Sequence, residues 1–172
     1  MAIIIDANCL INVFDETSSL HNEFSPVLNW IINGKGKIVA GGTKYLEELS
    51  KLPRILRVFN ILKKYKNKVV ILDKKVVDLE QNRIEKMIVD PDFDDPHIMA
   101  LVIVSSCRLF CSLDSRSEKY LLDSRFYPKG IKPPKYYKGS KNTNLLCDKY
   151  IPERYKPSLK LNKEERKIIP KL

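Results

Sequence analysis

Four short apolar runs constrain the fold of this chain more than any other feature of its sequence. They are Ala2–Ile5, Lys37–Ala40, Val69–Leu72 and Leu109–Leu113, each bounded by polar residues or glycine. Their length and their β-branched or apolar content are typical of strands. Because they are apolar along most of their length rather than alternating, we predict a mostly parallel sheet that is covered on both faces.

Helical patterns lie between the predicted strands. They are Asn8–Phe14, Ser25–Ile32, Thr43–Lys51, Pro53–Tyr65, Lys74–Val89, Pro96–Ser106 and Ser117–Leu122. In the second of these, Ser25 is a suitable N-cap and Pro26 suits the first helical position. The alternation of strands with helices predicts an α/β fold with three layers, α/β/α.

The net charge of +10 is unevenly distributed. Residues 1–124 hold 17 basic and 17 acidic residues, whereas residues 125–172 hold 14 basic and 4 acidic ones. The second segment also has six of the ten prolines and shows no sustained periodicity. We therefore predict a domain over residues 1–124 and a basic C-terminal arm over residues 125–172. This arm either wraps the domain or stays mobile, with Lys163–Ile169 as a short helix.

Tyrosines interleave with the lysines of this basic arm. Lysines neutralise phosphates and aromatic faces stack on bases, so the arm suits a nucleic acid. Its candidate contacts are Lys135, Tyr136, Lys138 and Lys141. The alternative is a solvated tail that only keeps the protein soluble.

The sequence has no run that approaches about 18 consecutive apolar residues, the length needed to cross a bilayer. Its first residues, MAIIIDANCL, lack the basic region and the cleavage site of a signal peptide. We therefore expect a cytoplasmic protein without a membrane partner.

Two aspartates end predicted strands. Asp6 directly follows the first strand, and Asp114 directly follows the fourth. In an open parallel sheet, ligands bind beyond the carboxyl ends of the strands, so we expect both aspartates to face one crevice. The alternative is that each aspartate only favours the turn that follows its strand.

Asp95 is the third candidate. It precedes Pro96, which suits the first position of a helix, so Asp95 is expected to be the N-cap of that helix. A capping carboxylate keeps one oxygen free, and this end of the helix would lie near the crevice. Asp94 is a weaker candidate because it lies outside the helix.

Glu48 is the fourth candidate, chosen by helical geometry. Within the predicted helix, Tyr45 and Leu52 stand three residues before it and four after it. Glu48 therefore points toward the apolar side, where an unpaired charge is costly. A cation in the crevice would supply its partner.

Converging carboxylates need a positive charge between them. At about 4 Å and an effective dielectric constant of about 20, two like charges repel by roughly 4 kcal/mol. Hard oxygen ligands without His or Cys suit Mg²⁺ or Mn²⁺. Such an ion lowers the pKa of a water and neutralises charge at phosphorus, so the site would suit phosphodiester hydrolysis.

Four segments together resemble the PIN domain, a family of Mg²⁺- or Mn²⁺-dependent, mainly RNA-cleaving nucleases. The resemblance covers about residues 2–122. The matching motifs are Ile5-Asp6-Ala7-Asn8, Thr43 with Glu48-Leu49, Asp95-Pro96-His97-Ile98-Met99-Ala100 and Ser112-Leu113-Asp114. Many members carry a further acid just after the fourth motif, where this chain has Ser115, Arg116 and Ser117. This departure leaves the affinity for a second metal open.

The resemblance implies roles for individual residues and for the protein. The catalytic and metal-binding residues would be Asp6, Glu48, Asp95 and Asp114. Asn8 and Ser112 would orient carboxylates, water or phosphate, and Arg116 would contact phosphate. The implied activity is that of an endoribonuclease with a toxin-like or RNA-processing role. A homodimer and an antitoxin or regulatory protein would be compatible partners.

Three alternatives stay open. The first is a nucleic-acid-binding scaffold of the same fold without catalysis, and the second is a nuclease that cleaves single-stranded or structured DNA. The third is phosphoryl transfer through an aspartyl phosphate on Asp6. That chemistry commonly needs a second acid two residues later, where this chain has Asn8.

Overall fold

The computed structural model describes residues 2–65, 67–147, 153–156 and 159–170. Its strands are Ala2–Ile5 (β1), Lys37–Gly41 (β2), Val69–Leu72 (β3), Leu109–Cys111 (β4) and Lys135–Tyr137 (β5). Its helices are Ala7–Phe14 (α1), His21–Asn33 (α2), Thr43–Ser50 (α3), Pro53–Lys64 (α4), Lys74–Met87 (α5), Pro96–Ser105 (α6), Glu118–Leu121 (α7) and Lys163–Lys167 (α8).

The strands form one sheet in the order β3-β2-β1-β4-β5, and every neighbouring pair is parallel. Helices flank the sheet, so the predicted three-layer α/β/α fold is confirmed. Strand β1 lies at the centre, and all of its residues are fully buried. Helix α6 is apolar on all sides, and most of its length is buried, as expected for an interior helix. Within the described residues, no helix has both the length and the apolar character that a bilayer span requires.

Helix α2 begins at His21, so the predicted start at Ser25 was wrong. Pro26 lies inside this helix rather than at its first position. Because proline has no N–H, it cannot donate to the carbonyl oxygen of Asn22, four residues earlier. The hydroxyl of Ser25 contacts that oxygen at 3.4 Å instead. A side chain thus partly replaces the missing backbone bond and lets the helix continue.

The basic segment contributes a strand that was not predicted. Strand β5 pairs with β4. It has only three residues, which is too short a stretch to show a periodic pattern in the sequence. Tyr137 in β5 is fully buried, and its hydroxyl donates to the carbonyl of Glu23 at 2.9 Å. The part of the segment that contains β5 therefore packs on the domain.

Helix α8 lies within the predicted helix Lys163–Ile169. Leu161, just before it, is buried. The parts of the predicted arm over residues 148–152, 157–158 and 171–172 lie outside the described residues.

Candidate metal centre

Asp6 is the most deeply buried of the four predicted acids. It follows β1 directly and caps α1, with its Oδ1 accepting from the backbone N–H of Asn8 at 3.0 Å. Its exposed fraction is 7%. Burial raises the pKa of Asp6, repulsion from Asp114 and Glu48 adds to the rise, and the hydrogen bonds oppose it. Asn8 was predicted to orient carboxylates, and its contact with the Asp6 carboxylate is made by its backbone N–H.

Ser112 connects the ends of β1 and β4. Its hydroxyl donates to Oδ2 of Asp6 at 2.7 Å and accepts from the backbone N–H of Asp114 at 3.0 Å. Strand β4 ends at Cys111 rather than at the predicted Leu113, so residues 112–114 form the loop that turns Asp114 back toward the strand ends. One buried hydroxyl thus contacts both aspartates.

Helix α3 brings Glu48 to the same end of the sheet. Gly42 begins the helix at φ 72°, and a Cβ there would lie 2.6 Å from Val77, so the turn from β2 requires glycine. The hydroxyl of Tyr45 donates to the carbonyl of Ile5 at 2.7 Å and holds α3 against β1. This attachment brings the helix that carries Glu48 close to the end of β1.

Glu48 has two cationic or potentially cationic neighbours. Its Oε2 lies 3.4 Å from Nε2 of His97, and its Oε1 lies 3.7 Å from Nζ of Lys44. The hydrogen bond from His97 is the main cause that lowers the pKa of Glu48. His97 is itself buried on α6, so it contributes to the site through Glu48.

Asp95 stands at the predicted N-cap of α6, but its side chain makes no capping hydrogen bond. Its carboxylate is therefore not used by the helix. Burial raises the pKa of Asp95 to about 6, with further repulsion from Asp6 and Asp94. A hydrogen bond from Ser117 and the charge of His97 act in the opposite direction. The neighbours of Asp95 therefore stabilise its ionised form less than water would.

The tightest acidic group among the described residues consists of Asp94, Asp95 and Asp114. Each offers one carboxylate oxygen, and these oxygens all lie within 4.8 Å of one another. Asp94 was the weaker candidate in the sequence because it lies outside the helix, yet its carboxylate belongs to this group. Asp6 and Glu48 do not belong to this group, although Asp6 interacts electrostatically with Asp114, Glu48 and Asp95.

Arg116 supplies positive charge at this group. Its Nη2 lies 2.7 Å from Oδ2 of Asp94 and 2.8 Å from Oδ2 of Asp114. Hydrogen bonds from Arg116 lower the pKa of Asp114. The guanidinium thus bridges two of the three carboxylates, and its side chain is 65% exposed. It can therefore turn toward solvent when another cation binds.

The predicted nucleic-acid contacts of the C-terminal segment lie in β5 and just after it. Tyr136 lies in β5, with Lys138 above its ring and paired with Glu118 at 2.5 Å. Lys138 follows the carboxyl end of β5, whereas Lys135 starts that strand and so lies at its opposite end. Lys141 is exposed, and its charge helps to lower the pKa of Glu23.

The donor set fits a hard divalent cation. All of the clustered ligand atoms are carboxylate oxygens, and no His or Cys belongs to the tightest group found in the described residues. The carboxylate of Asp95 makes no capping hydrogen bond and is therefore available to such an ion. Asp94, Asp95 and Asp114 would be the first ligands, with Asp6 at the buried side of the crevice.

Comparison of the chain with models of protein families, with curated proteins and with solved structures gives no significant match. The resemblance to the PIN domain therefore rests on the four sequence motifs.

Proposed function

We propose that this protein is a Mg²⁺- or Mn²⁺-dependent nuclease of the PIN type that cleaves RNA. The observation that carries the proposal is the close group of Asp94, Asp95 and Asp114 near the carboxyl end of β4, with one carboxylate oxygen of each within 4.8 Å of the others. Asp6 interacts electrostatically with Asp95, Asp114 and Glu48. Open parallel sheets bind their ligands at this end.

Charge balance supports the choice of a metal. Asp114 is balanced by Arg116, and Glu48 by His97 and Lys44. Asp6 and Asp95 have no such salt bridge within the described parts of the chain, and both have raised pKa values. A divalent ion between Asp95 and its neighbours would supply the missing charge and favour both ionised forms. A bound Mg²⁺ or Mn²⁺ would activate water and neutralise charge on a phosphate.

The chain's own residues would then have separate tasks. Ser112 fixes the orientation of the Asp6 carboxylate, and the bond to His97 fixes Glu48. Arg116, once released from Asp94 and Asp114, is long and exposed enough to contact a phosphate oxygen. The basic residues of the C-terminal segment would favour the approach of a polyanion.

Cleavage of labelled RNA by the purified protein tests the proposal. We expect cleavage in Mn²⁺ or Mg²⁺, none in EDTA, and a loss of at least about a hundredfold in Asp6→Asn. Asp15→Asn is the matched control, because Asp15 ends the same helix that Asp6 begins. The control should cleave normally, and circular dichroism should show that both variants fold.

Two outcomes would overturn the proposal. Undiminished cleavage by a folded Asp6→Asn variant would show that the activity does not depend on this site. RNA binding without cleavage, in both Mn²⁺ and Mg²⁺, would favour the alternative of a non-catalytic nucleic-acid-binding scaffold. The same assay on single-stranded DNA separates an RNase from a DNase.

A further inference from the structure

A second concave surface lies at the opposite end of the sheet from the acids. It is an open groove of about 900 Å³ along the edge strand β3. Its cationic lining residues are Lys37, Lys63, Arg154 and Lys156, and its apolar part includes Ile71 and Leu159. No acidic residue lines it within the described parts of the chain. We call this surface the basic groove.

Lys37 is the most unusual member of the basic groove. It starts β2 and is only 3% exposed, yet it lines the groove. No carboxylate in the described residues pairs with it, and burial lowers the pKa of its ammonium group. A partly desolvated ammonium without a counter-charge is unfavourable. An anion in the groove would provide that counter-charge.

The other cations surround Lys37 from separate elements. Lys63 lies in the last turn of α4, where a cation also interacts favourably with the helix end. That explanation does not apply to Lys37, which stands at the start of a strand. Lys156 is exposed, and its ion pair is with the exposed Glu153 at 2.8 Å. The groove thus has cations on several sides.

The C-terminal segment forms one wall of the basic groove. The hydroxyl of Tyr155 donates to the carbonyl of Ser105 at 3.1 Å, and Arg154 donates to the carbonyl of Val104 at 3.1 Å. The guanidinium of Arg154 also lies 5.1 Å from the centre of the Tyr155 ring. These contacts attach the wall to the end of α6, so the groove is built by the fold.

We propose that the basic groove binds the phosphate backbone of single-stranded RNA, as a second contact for the substrate of the proposed nuclease. The choice of RNA rests on the proposed function. Strands of four or five residues separate the two sites by about 15 Å. A single strand bound in the groove could therefore extend around the sheet edge to the acidic crevice.

The distribution of charge favours RNA over an acidic peptide. A peptide added beside β3 would carry its charges along one line, whereas the cations here come from β2, α4 and the C-terminal wall. Ile71 and Leu159 are 40% and 50% exposed, so they offer flat apolar contacts rather than side-chain pockets. Ribose and base faces can lie on such surfaces.

The test measures binding of a labelled 12-nucleotide RNA by fluorescence anisotropy in EDTA, where the proposed nuclease cannot cleave. We expect Lys37→Gln with Lys156→Gln to weaken binding about tenfold. The slope of log Kd against log salt concentration should fall by about 1.4, which is about 0.7 for each phosphate that a lysine no longer neutralises. Lys156→Gln alone, at an exposed position, should weaken binding about threefold and guards against misfolding of the double variant.

Lys75→Gln with Lys86→Gln is the matched control, because it removes the same charge from exposed positions on α5. It should change Kd less than about twofold. Equal weakening by the two pairs would overturn the proposal, since binding would then depend only on net charge. Competition by polyglutamate as strong as that by unlabelled RNA would also overturn it. The unmodified protein should show groove-dependent binding in EDTA, so a failure of the nuclease proposal would appear separately, as RNA binding without cleavage once Mn²⁺ is added.

Discussion

The hydroxyl of Ser112 lies 2.7 Å from Oδ2 of Asp6, although 106 positions separate the two residues in the chain. The bond is buried, and it opposes the rise in the pKa of Asp6 that burial causes. It also fixes one carboxylate oxygen, leaving the other to the backbone N–H of Asn8. Both the charge and the direction of Asp6 therefore depend on Ser112.

Ser112→Ala should weaken Mn²⁺ binding about tenfold, because residues that orient metal ligands typically have effects of this size. The pKa of Asp6 should rise further once the hydroxyl is gone. Isothermal titration calorimetry with Mn²⁺ on the RNA-free protein measures the affinity. Ser50→Ala, at an exposed helix position, is the control and should bind normally. Equal affinities of the two variants would show that the bond does not support a metal.

Arg116→Gln should strengthen Mn²⁺ binding by about 2- to 5-fold in the absence of RNA, the range expected for removing an exposed competing cation. The reason is that Arg116 bridges Asp94 and Asp114 and must leave before an ion binds there. Arg125→Gln removes a similar exposed pair, with Asp123, and serves as the control. Weaker Mn²⁺ binding in Arg116→Gln would contradict the competition.

The contribution of Asp95 to the stability of the metal-free protein should fall as the pH rises from about 4 to about 6. Burial raises the pKa of Asp95 to about 6, above its ordinary value of 3.8. The folded state therefore holds a proton that the unfolded state has lost across this window. Asp95→Asn should remove part of this dependence and raise Tm at pH 7 by about 2–4 °C, with no gain at pH 4. Thermal unfolding in EDTA at both pH values measures it, and a lower Tm at pH 7 would contradict the burial argument.

Glu48→Gln should weaken Mn²⁺ binding by more than about tenfold if Glu48 serves the metal. Its contact with His97 gives an alternative, in which Glu48 only stabilises the buried imidazole. In that case the variant would lose thermal stability and keep its Mn²⁺ affinity. Glu47→Gln, the exposed neighbour on the same helix, is the control for both measurements.

The sequence was sufficient to predict four of the five strands of the sheet. Strands β1 and β3 have the predicted bounds, because their ends are marked by polar residues. Asp6 directly follows β1, and Asp95 directly precedes the helix that Pro96 begins, as the sequence predicted. Local patterns determine where an element ends, and a parallel sheet then places those ends together.

Contacts between distant segments could not be predicted in the same way. The choice of Asp94 over Glu48 for the tightest group depends on how one loop folds back. The bridge made by Arg116 depends on side-chain rotamers. Lys37 and Lys156 share a groove only because the C-terminal wall returns to the start of β2. No periodicity or spacing in the sequence predicts that the C-terminal segment packs beside the start of β2.

Strand β5 also covers the flank of β4, whose residues are all buried. A chain shortened after residue 124 would make β4 an edge strand with unpaired backbone amide and carbonyl groups and apolar side chains. Such edges pair readily with other molecules, so the shortened protein should be prone to self-association. We therefore expect the lysine-rich segment to limit self-association through the pairing of β5 with β4.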